Sequence, residues 1–370
     1  MEERGVELEL EPEEEPTTDS EVFYNEDMIV NRDISVASLA EYQERSGEEL
    51  KVCDALSASG VRGLRYLNEV DGLEEVLIND IKPEAVENIQ KNLELNGLGE
   101  RAAVTQKDAN LLLTENFRSL DYVDIDPFGS PTLYLDSTAR SLRHESAAGF
   151  TATDLGPLYG SYPKVCERRY SSRPLKVEFG HELGIRILIK ETFRAFSRYD
   201  RAFEPVLAWH EQHYSRVFGT VEESKKQCNR MLDDIGYLSF CRECRWRAYE
   251  DVEQCSACGG TVEKAGPLWT GKLADDEFAG GVRERLDSQG YTEAEQLIEK
   301  LQKEADISTP FYESHEIASS IGVQAPERKK LLEAVRERGF RASQTHFSPQ
   351  GFRTDAPIEE IREAIETTAI

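Results

Sequence analysis

Residues 50–63 read LKVCDALSASGVRG, and this stretch decides the fold class. Residues 50–53 form a short apolar run typical of a buried strand, and the small residues at 54–63 are typical of a turn that leads into a helix. Small side chains let a ligand approach the backbone, and the first turn of a helix offers free amide groups. The pattern predicts a strand–turn–helix unit suited to a nucleotide-type ligand, although a tight turn without a ligand would have the same composition.

Short apolar runs alternate with amphipathic helical patterns from residue 50 to about residue 221. This alternation is typical of an α/β fold, in which crossover helices join the strands of a parallel sheet. The pattern predicts strands at residues 50–53, 75–79, 102–106, 120–125, 149–153 and 206–209. A connecting helix is predicted at residues 83–96, because Pro83 stands at its first position and Gly97 follows its end.

Composition divides the chain into four parts. Residues 1–21 hold ten acidic residues and one basic residue, Arg4, and are predicted to form a solvated, mobile start. The α/β domain is predicted at residues 22–235, followed by a cysteine-rich module and a return segment at 236–274. Residues 275–370 are predicted to form a separate small domain, with helices, a short strand and a polar tail.

The net charge of −27 is the most unusual bulk property, since 71 acidic residues face 44 basic ones. A nucleic-acid partner would ordinarily select a basic protein, so one interpretation is that the chain avoids polyanions. Of the 44 basic residues, however, 29 are Arg, and an acidic surface poor in Lys suits a cytoplasm of molar salt. At about 1 M salt the Debye length is only ~3 Å, which screens repulsion between the protein and RNA. The composition therefore suggests a halophilic source and leaves an RNA partner open.

No run approaches the roughly 18 consecutive apolar residues of a membrane span, and the acidic start does not resemble an export signal. The chain is therefore predicted to be cytoplasmic, without a membrane partner and without an obligatory protein partner. It contains seven cysteines. Cys-x-x-Cys pairs in a chain that is not exported indicate a metal site more than disulfides.

Two such pairs supply four thiols, from Cys241, Cys244, Cys255 and Cys258. The spacing predicts a structural zinc site, because two knuckles can converge on one tetrahedral ion and leave no open coordination position. Cationic and aromatic residues lie within and between the pairs, namely Arg242, Arg245, Trp246 and Arg247. They would suit a phosphate or an unstacked base, and an ordinary solvated rim is an equally good interpretation.

Acidic residues follow the second and third predicted strands. Asp80 comes about 20 residues after Gly60, the placement of a carboxylate that accepts hydrogen bonds from ribose hydroxyls. Asp108 could bind an adenine amine in the same crevice. These features fit a dehydrogenase and a methyltransferase equally well.

The fourth predicted strand separates these two classes. It runs into the string DIDPFGSP at residues 124–131, at the sheet edge where ligands of open α/β folds bind. The string resembles the Asp/Asn-Pro-Pro-aromatic motif of methyltransferases that act on exocyclic amines. Such an amine is a poor nucleophile, so a carboxylate, Asp126, is expected to accept its hydrogens after Pro127 turns the chain, while Phe128 stacks on the extruded base.

Two further groups of cations are candidates for RNA contact. Arg168, Arg169 and Arg173 follow a Gly- and Tyr-containing loop and could line an RNA channel. A locally basic C-terminal face is predicted around residues 345–349, with Arg336, Arg338, Arg341 and Arg353. Charges of this kind are more often merely solvated. The histidines form no metal-binding spacing, and His181, His210 and His213 are predicted to be core or surface residues.

Taken together, these residues are similar to the tRNA (guanine-26-N2)-dimethyltransferase family, from about residue 22 to the C-terminus. The strings that carry the similarity are VFYN at 22–25, NRD at 31–33, DALSASGVRG at 54–63, ND at 79–80, DA at 108–109, DIDPFGSP at 124–131, GPLWTG at 266–271 and HFSP at 346–349.

The resemblance implies a class I, Rossmann-like methyltransferase domain that uses S-adenosyl-L-methionine, a zinc-ribbon-like module and a smaller α/β C-terminal domain that binds tRNA. The implied cofactors are S-adenosyl-L-methionine and structural Zn²⁺, and the implied partner is tRNA. The implied catalytic residues are Asp126, Pro127 and Phe128. The implied cofactor-binding residues are Phe23, Arg32, Arg62, Asp80, Asp108 and Ala109, with the two arginines at the methionine carboxylate or neighbouring groups and Phe23 covering the cofactor.

Three alternatives stay open at this point. One is a different methyltransferase acting on N2 of an RNA guanine, with the guanosine next to position 26 as a possible second target. Another is a nucleotide-dependent oxidoreductase, which leaves the string at 124–131 unexplained. The last is a non-catalytic zinc-ribbon protein that binds RNA, against which the intact string argues.

Overall fold

The computed structural model describes residues 1–10 and 22–369 of the chain. The strands are β1 (Glu2–Glu3), β2 (Val6–Glu7), β3 (Leu50–Asp54), β4 (Leu73–Asp80), β5 (Ala102–Gln106), β6 (Leu120–Ile125), β7 (Leu142–Ala152), β8 (Arg201–Glu211), β9 (Tyr214–Glu223), β10 (Ile235–Phe240), β11 (Arg247–Ala248), β12 (Glu263–Trp269), β13 (Tyr312–Glu313), β14 (Ala342–Gln344) and β15 (Gly351–Thr354). The helices are α1 (Ile29–Ser46), α2 (Val61–Glu69), α3 (Pro83–Asn96), α4 (Ala109–Glu115), α5 (Leu135–Ser141), α6 (Leu155–Leu158), α7 (Pro163–Tyr170), α8 (Gly180–Ser197), α9 (Lys225–Met231), α10 (Asp276–Ser288), α11 (Thr292–Ala305), α12 (Ser314–Ile321), α13 (Arg328–Glu337) and α14 (Ile358–Thr368).

A seven-stranded sheet in the order β5-β4-β3-β6-β7-β9-β8 forms the centre of the molecule. The first five strands of this order run parallel, and β9 and β8 add an antiparallel pair at one edge. The central parallel strands β3, β6 and β7 are buried on both faces, as the apolar runs in the sequence predict, whereas the edge strand β5 is only partly buried. The predicted α/β class is therefore confirmed, and the carboxyl ends of β3, β4 and β6 meet at one edge of the sheet.

The antiparallel edge departs from the sequence prediction. Strand β8 extends well beyond the predicted residues 206–209, and β9 was not predicted. Strand β9 buries Ser215 and Arg216 completely, so its sequence lacks the apolar run that identifies the other strands. Because the partners of these polar groups lie on other elements, the strand could not be inferred from its own residues.

The expectation of a solvated, mobile start is wrong for residues 1–10. Strands β1 and β2 form a hairpin whose turn places Arg4 and Gly5 at positive φ (50° and 80°). Val6 and Leu8 are fully or almost fully buried in the core on one side of the sheet. Burial of these two apolar side chains stabilises the hairpin, although the residues around them are mostly acidic. The rest of the predicted mobile start, residues 11–21, lies outside the described residues.

Three asparagines on α3 pair with the backbone that follows this hairpin. Asn96 accepts from the amide of Glu7 (2.8 Å) and donates to its carbonyl (2.7 Å). Asn92 accepts from the amide of Glu9 (2.7 Å), and Asn88 donates to the Glu9 carbonyl (2.6 Å). Side chains four residues apart lie on one face of a helix, so they supply the hydrogen bonds that a neighbouring strand would otherwise give.

The C-terminal part also divides differently from the prediction of one separate domain at residues 275–370. Helices α10 and α11 pack into the same core as β3 and β4, and Phe278 stacks on Phe218 of β9 with ring centroids 5.5 Å apart. The residues after α11 form their own core around a three-stranded sheet, β13-β15-β14. The predicted polar tail is wrong, because α14 buries Ile358, Ile361 and Ile365 in that core.

The cysteine-rich module contains the small antiparallel sheet β11-β10-β12 and lies between these two units. None of the helices in the described parts of the chain is both long enough and apolar enough to span a membrane.

Candidate functional site

A cavity of about 640 Å³ opens at the carboxyl edge of the parallel sheet. The loops after β3, β4 and β6 form one side of it, and residues 23–25 with the start of α1 form the other. Asp80, Asp126 and Phe128 line this cavity together with Phe23. The sequence motifs after three different strands therefore converge on one space.

The turn after β3 is held by a buried carboxylate. Asp54 accepts a hydrogen bond from the amide of Gly63 at 3.1 Å, which fixes the start of α2. Ala58 and Gly60 adopt positive φ (50° and 78°), so small residues are needed for this close turn. Burial and the neighbouring charge of Asp124 raise the pKa of Asp54 to about 7.

Asp80 is fixed at the end of β4 by two backbone amides. Its carboxylate accepts from Ala58 and from Lys82, each at 2.9 Å. Next to it, the side chain of Asn79 donates to the carbonyl of Lys107 at 3.0 Å and ties the ends of β4 and β5 together. The Asp80 carboxylate is only half-buried and lines the cavity, so it can accept further hydrogen bonds from a ligand.

The loop after β6 presents a carboxylate and an exposed aromatic ring. Asp126 lines the cavity and forms an ion pair with Arg62. Pro127 follows it, and the Phe128 side chain is 51% exposed, an unusual state for a large apolar residue. The backbone of Gly129 donates to Thr153 Oγ1 at 2.7 Å, which anchors the loop to the end of β7.

Arg62 links this loop to buried polar groups in the core. Its guanidinium also donates to Asn31 (3.0 Å) and Ser35 (2.9 Å) on α1, and its Nε lies 3.6 Å from Asp124. In this structure Arg62 thus orients Asp126. Its predicted contact with a cofactor carboxylate stays a prediction.

Asp124 forms the buried base of the loop. It is fully buried and pairs with Arg216 of β9 at 2.5 Å, and it accepts from the hydroxyls of Tyr66 (2.6 Å) and Tyr122 (2.7 Å). Burial by itself would raise the pKa of Asp124, but Arg216 and Arg62 lower it to about 2. The sequence prediction missed Arg216 because β9 itself was missed.

Phe23 approaches the exposed ring of Phe128 from the opposite wall. The ring centroids lie 4.4 Å apart at an interplanar angle of 74°, an edge-to-face contact. Arg32 is almost fully buried and lines the same wall, where it pairs with Glu3 of the N-terminal hairpin at 2.5 Å. The structure thus brings Phe23 and Arg32 to the cavity, and their contact with a cofactor stays a prediction.

Asp108 and Ala109 lie nearby but do not line the cavity formed by the described residues. Asp108 caps α4 by accepting from the amide of Leu111 at 3.1 Å. Tyr134 stands at the cavity wall, and its pKa is raised by burial and by the charge of Asp108. The predicted contact of Asp108 with adenine stays a prediction.

Some cavity residues were not predicted from the sequence to belong to the site: Tyr134, Thr153 and His213, the last of which was predicted to be a core or surface residue. His213 lies in the turn between β8 and β9, far along the chain from the motifs. No spacing signal in the sequence could have placed it there, because that hairpin was not predicted.

The four cysteine thiols of the zinc-ribbon-like module cluster, with all Sγ atoms within 4.8 Å of one another. The Sγ atoms of Cys241 and Cys258 are 3.6 Å apart, and those of Cys244 and Cys255 are 3.3 Å apart. Zn–S bonds of about 2.3 Å in a tetrahedron place sulfurs about 3.8 Å apart, so the donor set fits a closed metal site.

Two of the three arginines of this module, Arg245 and Arg247, face inward. Arg247 is 3% exposed and pairs with Glu178 at 2.7 Å, and Arg245 pairs with Glu316 at 2.5 Å. Arg242 is exposed but pairs with Glu263 at 2.8 Å. Trp246 packs against the core of the C-terminal unit. These residues connect the module to its neighbours and are not arranged as a surface for RNA.

The C-terminal arginines are likewise partnered. Arg353 is buried between Glu182 of α8 (2.9 Å) and Glu304 of α11 (2.5 Å). The other three hold backbone or acidic groups of their own unit: Arg336 at the carbonyl of Ala342, Arg338 at Glu360 and Glu363, and Arg341 at Asp355. The predicted basic face is therefore largely neutralised.

A different cationic surface lies beside the cavity. It consists of the exposed residues Tyr162, Lys164, Arg168, Arg169, Arg173 and Lys176, and is called the α7 surface. One acidic residue, Glu167, lies within the same stretch. The Tyr170 hydroxyl ties α7 to the catalytic loop, because it donates to Asp154 (2.5 Å) and accepts from Ser130 (2.8 Å).

The histidine prediction holds for the core. His181 and His210 contact each other through Nδ1 and Nε2 at 2.6 Å, and His346 continues this buried chain to Glu304. Burial lowers the pKa of His210 to about 3. Within the described residues, the cysteine cluster is the group of His, Cys, Asp and Glu side chains that could hold a metal.

Comparison with known proteins places this site in a family. The model of the N2,N2-dimethylguanosine tRNA methyltransferase family matches residues 6–366. The tRNA (guanine(26)-N(2))-dimethyltransferase of Methanosphaera stadtmanae is 36% identical over 99% of this chain and 96% of its own length. The tRNA (guanine(26)-N(2)/guanine(27)-N(2))-dimethyltransferase of Aquifex aeolicus is 36% identical over 95% and 91%.

Among solved structures, the Trm1 protein of Pyrococcus horikoshii in complex with S-adenosyl-L-methionine has a TM-score of 0.85 and 34% identity, covering 95% of this chain and 96% of its own. These matches extend over nearly the whole chain, catalytic string and cysteine module included. They decide against the oxidoreductase and the non-catalytic alternatives. The chain therefore belongs to the N2,N2-dimethylguanosine tRNA methyltransferase family.

Proposed function

We propose that this chain transfers two methyl groups from S-adenosyl-L-methionine to the exocyclic N2 of guanosine 26 in tRNA. As a member of its family it is an enzyme, a tRNA methyltransferase. The observation that carries the proposal is the convergence of Asp126, Phe128 and Asp80 on one cavity, in a chain similar over its full length to tRNA (guanine(26)-N(2))-dimethyltransferases.

The catalytic task is to make an aromatic amine nucleophilic. The lone pair of the guanine N2 is delocalised into the ring, so the amine reacts only when a neighbouring acceptor takes its hydrogens and the nitrogen is held in line. Asp126 is the acceptor at this cavity, and Arg62 holds it in place. S-adenosyl-L-methionine, when bound, would supply the electrophilic methyl group and leave as S-adenosyl-L-homocysteine, while Asp126 would accept the proton that N2 loses in each transfer. No covalent intermediate with the protein is required, since positioning and electrostatics carry the rate.

Phe128 faces the acceptor side of the cavity, and Phe23, which we propose covers the cofactor, contacts it. Phe128 is exposed and ready to stack on an extruded base, which must leave the RNA stack before an enzyme can reach it. Phe23 contacts Phe128 at its edge and closes the opposite wall. A flat guanine entering beside these two rings would bring its N2 toward Asp126.

We propose that the cofactor is bound by the residues that the family resemblance implies. Asp80 would accept from the ribose hydroxyls, because its carboxylate is fixed by two backbone amides and still lines the cavity. Asp108 with Ala109 would hold the adenine, beyond Tyr134. Arg32 and Arg62 would lie near the methionine end, although both already pair with carboxylates of the protein.

We propose a structural zinc ion at the four clustered thiols, Cys241, Cys244, Cys255 and Cys258. The sulfur distances fit tetrahedral coordination, and the cluster lies away from the catalytic cavity. The ion would stabilise the module between the sheet and the C-terminal unit and take no part in methyl transfer.

The α7 surface is the proposed contact for the phosphate backbone of tRNA. Five cations and one acid occupy residues 161–176 of a chain with a net charge of −27, so this concentration of positive charge is local. The Tyr170 hydroxyl bonds to Asp154 and Ser130 hold α7 against the loop that carries Phe128. A polyanion that delivers a base to Phe128 would cross this surface.

Charge reversal tests that contact. Lys164→Glu combined with Arg168→Glu is expected to raise the KM for tRNA about tenfold, without changing the affinity for S-adenosyl-L-methionine. Lys225→Glu combined with Lys226→Glu is the matched control, because it changes the net charge equally and both lysines are exposed on α9, next to the opposite end of the sheet. An equal change in both variants would mean that net charge matters and the α7 surface does not.

The finer proposals follow from composition and from the relatives. The acidic, Arg-rich composition supports a halophilic archaeal source and a cytoplasmic location. The Aquifex relative carries guanine 27 in its name, so methylation of a guanosine next to position 26 is the second candidate activity.

The deciding experiment is transfer of labelled methyl groups to unmodified tRNA in multimolar KCl, with mass spectrometry of the nucleosides and mapping of the modified position. Dimethylguanosine at position 26 is the expected product. Dimethylguanosine at position 27 as well would support the second candidate, and no incorporation by folded, cofactor-bound protein would refute the proposal.

A further inference from the structure

One carboxylate of the N-terminal hairpin is buried in the core behind the cavity. Glu3 of β1 is 3% exposed, although it belongs to a strongly acidic segment. Its carboxylate accepts from Arg32 at 2.7 and 2.5 Å, from Arg65 at 3.0 Å and from the hydroxyl of Tyr24 at 2.8 Å. A buried charge with four such bonds is fixed in position.

Two of these partners line the cavity. Tyr24 and Arg32 both face it, and the Arg32 guanidinium lies 5.0 Å from the centre of the Tyr24 ring. Arg32 also donates to the carbonyl of Asn25 at 3.1 Å. The segment at residues 23–25, which we call the pocket strap, is therefore held at Tyr24 by Glu3 and at Asn25 by Arg32.

The strap in turn reaches the catalytic loop through Phe23, whose ring contacts Phe128 at 4.4 Å. The contacts form a continuous path from the hairpin to the cavity: Glu3 to Arg32, Arg32 to the strap, and the strap to Phe128. Each contact is a hydrogen bond, an ion pair or a ring contact, and every group on the path except the exposed Phe128 ring is buried or half-buried.

The charge balance of Arg32 depends on Glu3 more than that of Arg65 does. Within the described residues, Glu3 is the one acid within 4 Å of the Arg32 guanidinium. Arg65 also pairs with Asp33 (2.7 Å) and Glu69 (2.6 Å). Neutralising Glu3 would therefore leave Arg32 as the uncompensated buried cation, at the wall of the cavity.

We infer that Glu3 is a positioning residue for the cofactor and acceptor pocket, acting through Arg32 and the pocket strap. It does not touch the reacting atoms. The hairpin thus belongs to the functional site although it comes from the extreme N-terminal end of the described chain. The inference rests on the proposed function, because its measurements use S-adenosyl-L-methionine and methyl transfer.

Glu3→Gln tests the inference, since it keeps the size of the side chain and the backbone bonds of the hairpin. The dissociation constant for S-adenosyl-L-methionine, measured by calorimetry in the absence of tRNA, is expected to rise about tenfold. Glu7→Gln is the matched control, because Glu7 is exposed on the same hairpin and should bind as the unaltered chain does.

A double-variant cycle distinguishes positioning from a general loss of structure. If Glu3 acts through Arg32, the combined Glu3→Gln and Arg32→Met chain should bind the cofactor no more weakly than Arg32→Met alone. Multiplying effects would overturn the inference, and so would an unchanged dissociation constant in folded Glu3→Gln protein.

Tyr24→Phe covers the case in which Glu3→Gln does not fold, because it removes one bond to Glu3 and leaves the ion pairs intact. It is expected to weaken cofactor binding two- to threefold, and an unchanged affinity would overturn the inference. Failure of the unaltered chain to bind S-adenosyl-L-methionine would instead refute the proposed function, so the two failures are distinguishable.

Discussion

The string at residues 124–131 and the cysteine module are the two strongest motifs of the chain, and their surroundings in the structure are opposite. The string faces a cavity, exposes Phe128 and places a carboxylate where a ligand can reach it. The module buries Cys241, Cys244 and Cys255, and its arginines pair with acids of neighbouring elements. A strong motif therefore marks a ligand-accessible site in one case and a structural element in the other. The residues that surround each motif decide between the two.

The largest expected effect concerns the module. Cys255→Ser should lower the free energy of unfolding by about 5 kcal/mol or more, because structural zinc sites in small domains contribute about 10–16 kcal/mol of binding energy. Urea unfolding combined with measurement of bound zinc checks this. Cys228→Ser is the matched control, a buried thiol outside the cluster. Lost methyl transfer with unchanged unfolding would break the comparison, since the module would then serve the chemistry.

Asp126→Ala should have the opposite signature. The rate of methyl transfer is expected to fall about 10³-fold, about 4 kcal/mol in activation free energy, because the amine loses its acceptor. Calorimetry should find the affinity for S-adenosyl-L-methionine nearly unchanged. Asp136→Ala, at an exposed position on α5, is the control. Retained turnover in the Asp126 variant would remove the catalytic role from the string.

Two arginines of the module test its structural role. Arg247→Met should cost about 3 kcal/mol of stability, because it leaves the half-buried Glu178 without its closest ion-pair partner. Arg242→Met should cost less than about 1 kcal/mol, because the Arg242–Glu263 pair is exposed to solvent. Thermal unfolding of both variants at one salt concentration checks the difference. A larger loss of tRNA affinity than of stability in either variant would revive the RNA interpretation of the module.

The last pair of effects consists of pH slopes of opposite sign. Burial and Asp124 raise the pKa of Asp54 to about 7, so its ionisation destabilises the fold as pH rises from about 4 to 7. Burial would raise the pKa of Glu304, but Arg353 and His346 lower it to about 2, so its contribution is complete above about pH 4.5 and is lost as pH falls toward 2.

Stability curves against pH check both slopes. Asp54→Asn should flatten the curve between about pH 4 and 7, and Glu304→Gln should flatten it between about pH 2 and 4.5. A flattening in the wrong window would contradict the assigned partner charges.

Sequence alone predicted the parts whose signal is local. The parallel strands β3 and β6 were found because burial on both faces demands apolar residues on both sides, and the bounds of β5, β6 and α3 match the predicted residues. The cysteine cluster was found because metal geometry fixes the ligand spacing. The convergence of the motif loops followed from the topology of parallel sheets.

The parts that sequence could not predict depend on partners distant in the chain. Strand β9 could not be predicted because the burial of its Arg216 depends on the ion pair with Asp124 on β6. The N-terminal hairpin could not be predicted from its acidic sequence, because the burial of Glu3 requires Arg32 and Arg65 from two helices. The roles of the module's arginines were left open for the same reason, because an arginine bound to an acid and an arginine free to bind RNA have the same sequence signal.

The last helix also touches the metal module, since Arg362 of α14 donates to the carbonyl of Cys244 at 3.0 Å. Loosening of the knuckle would release this contact together with the packing of Trp246, and the C-terminal helix would lose one of its anchors. Zinc starvation would then become visible at the end of the chain farthest in sequence from the catalytic pocket.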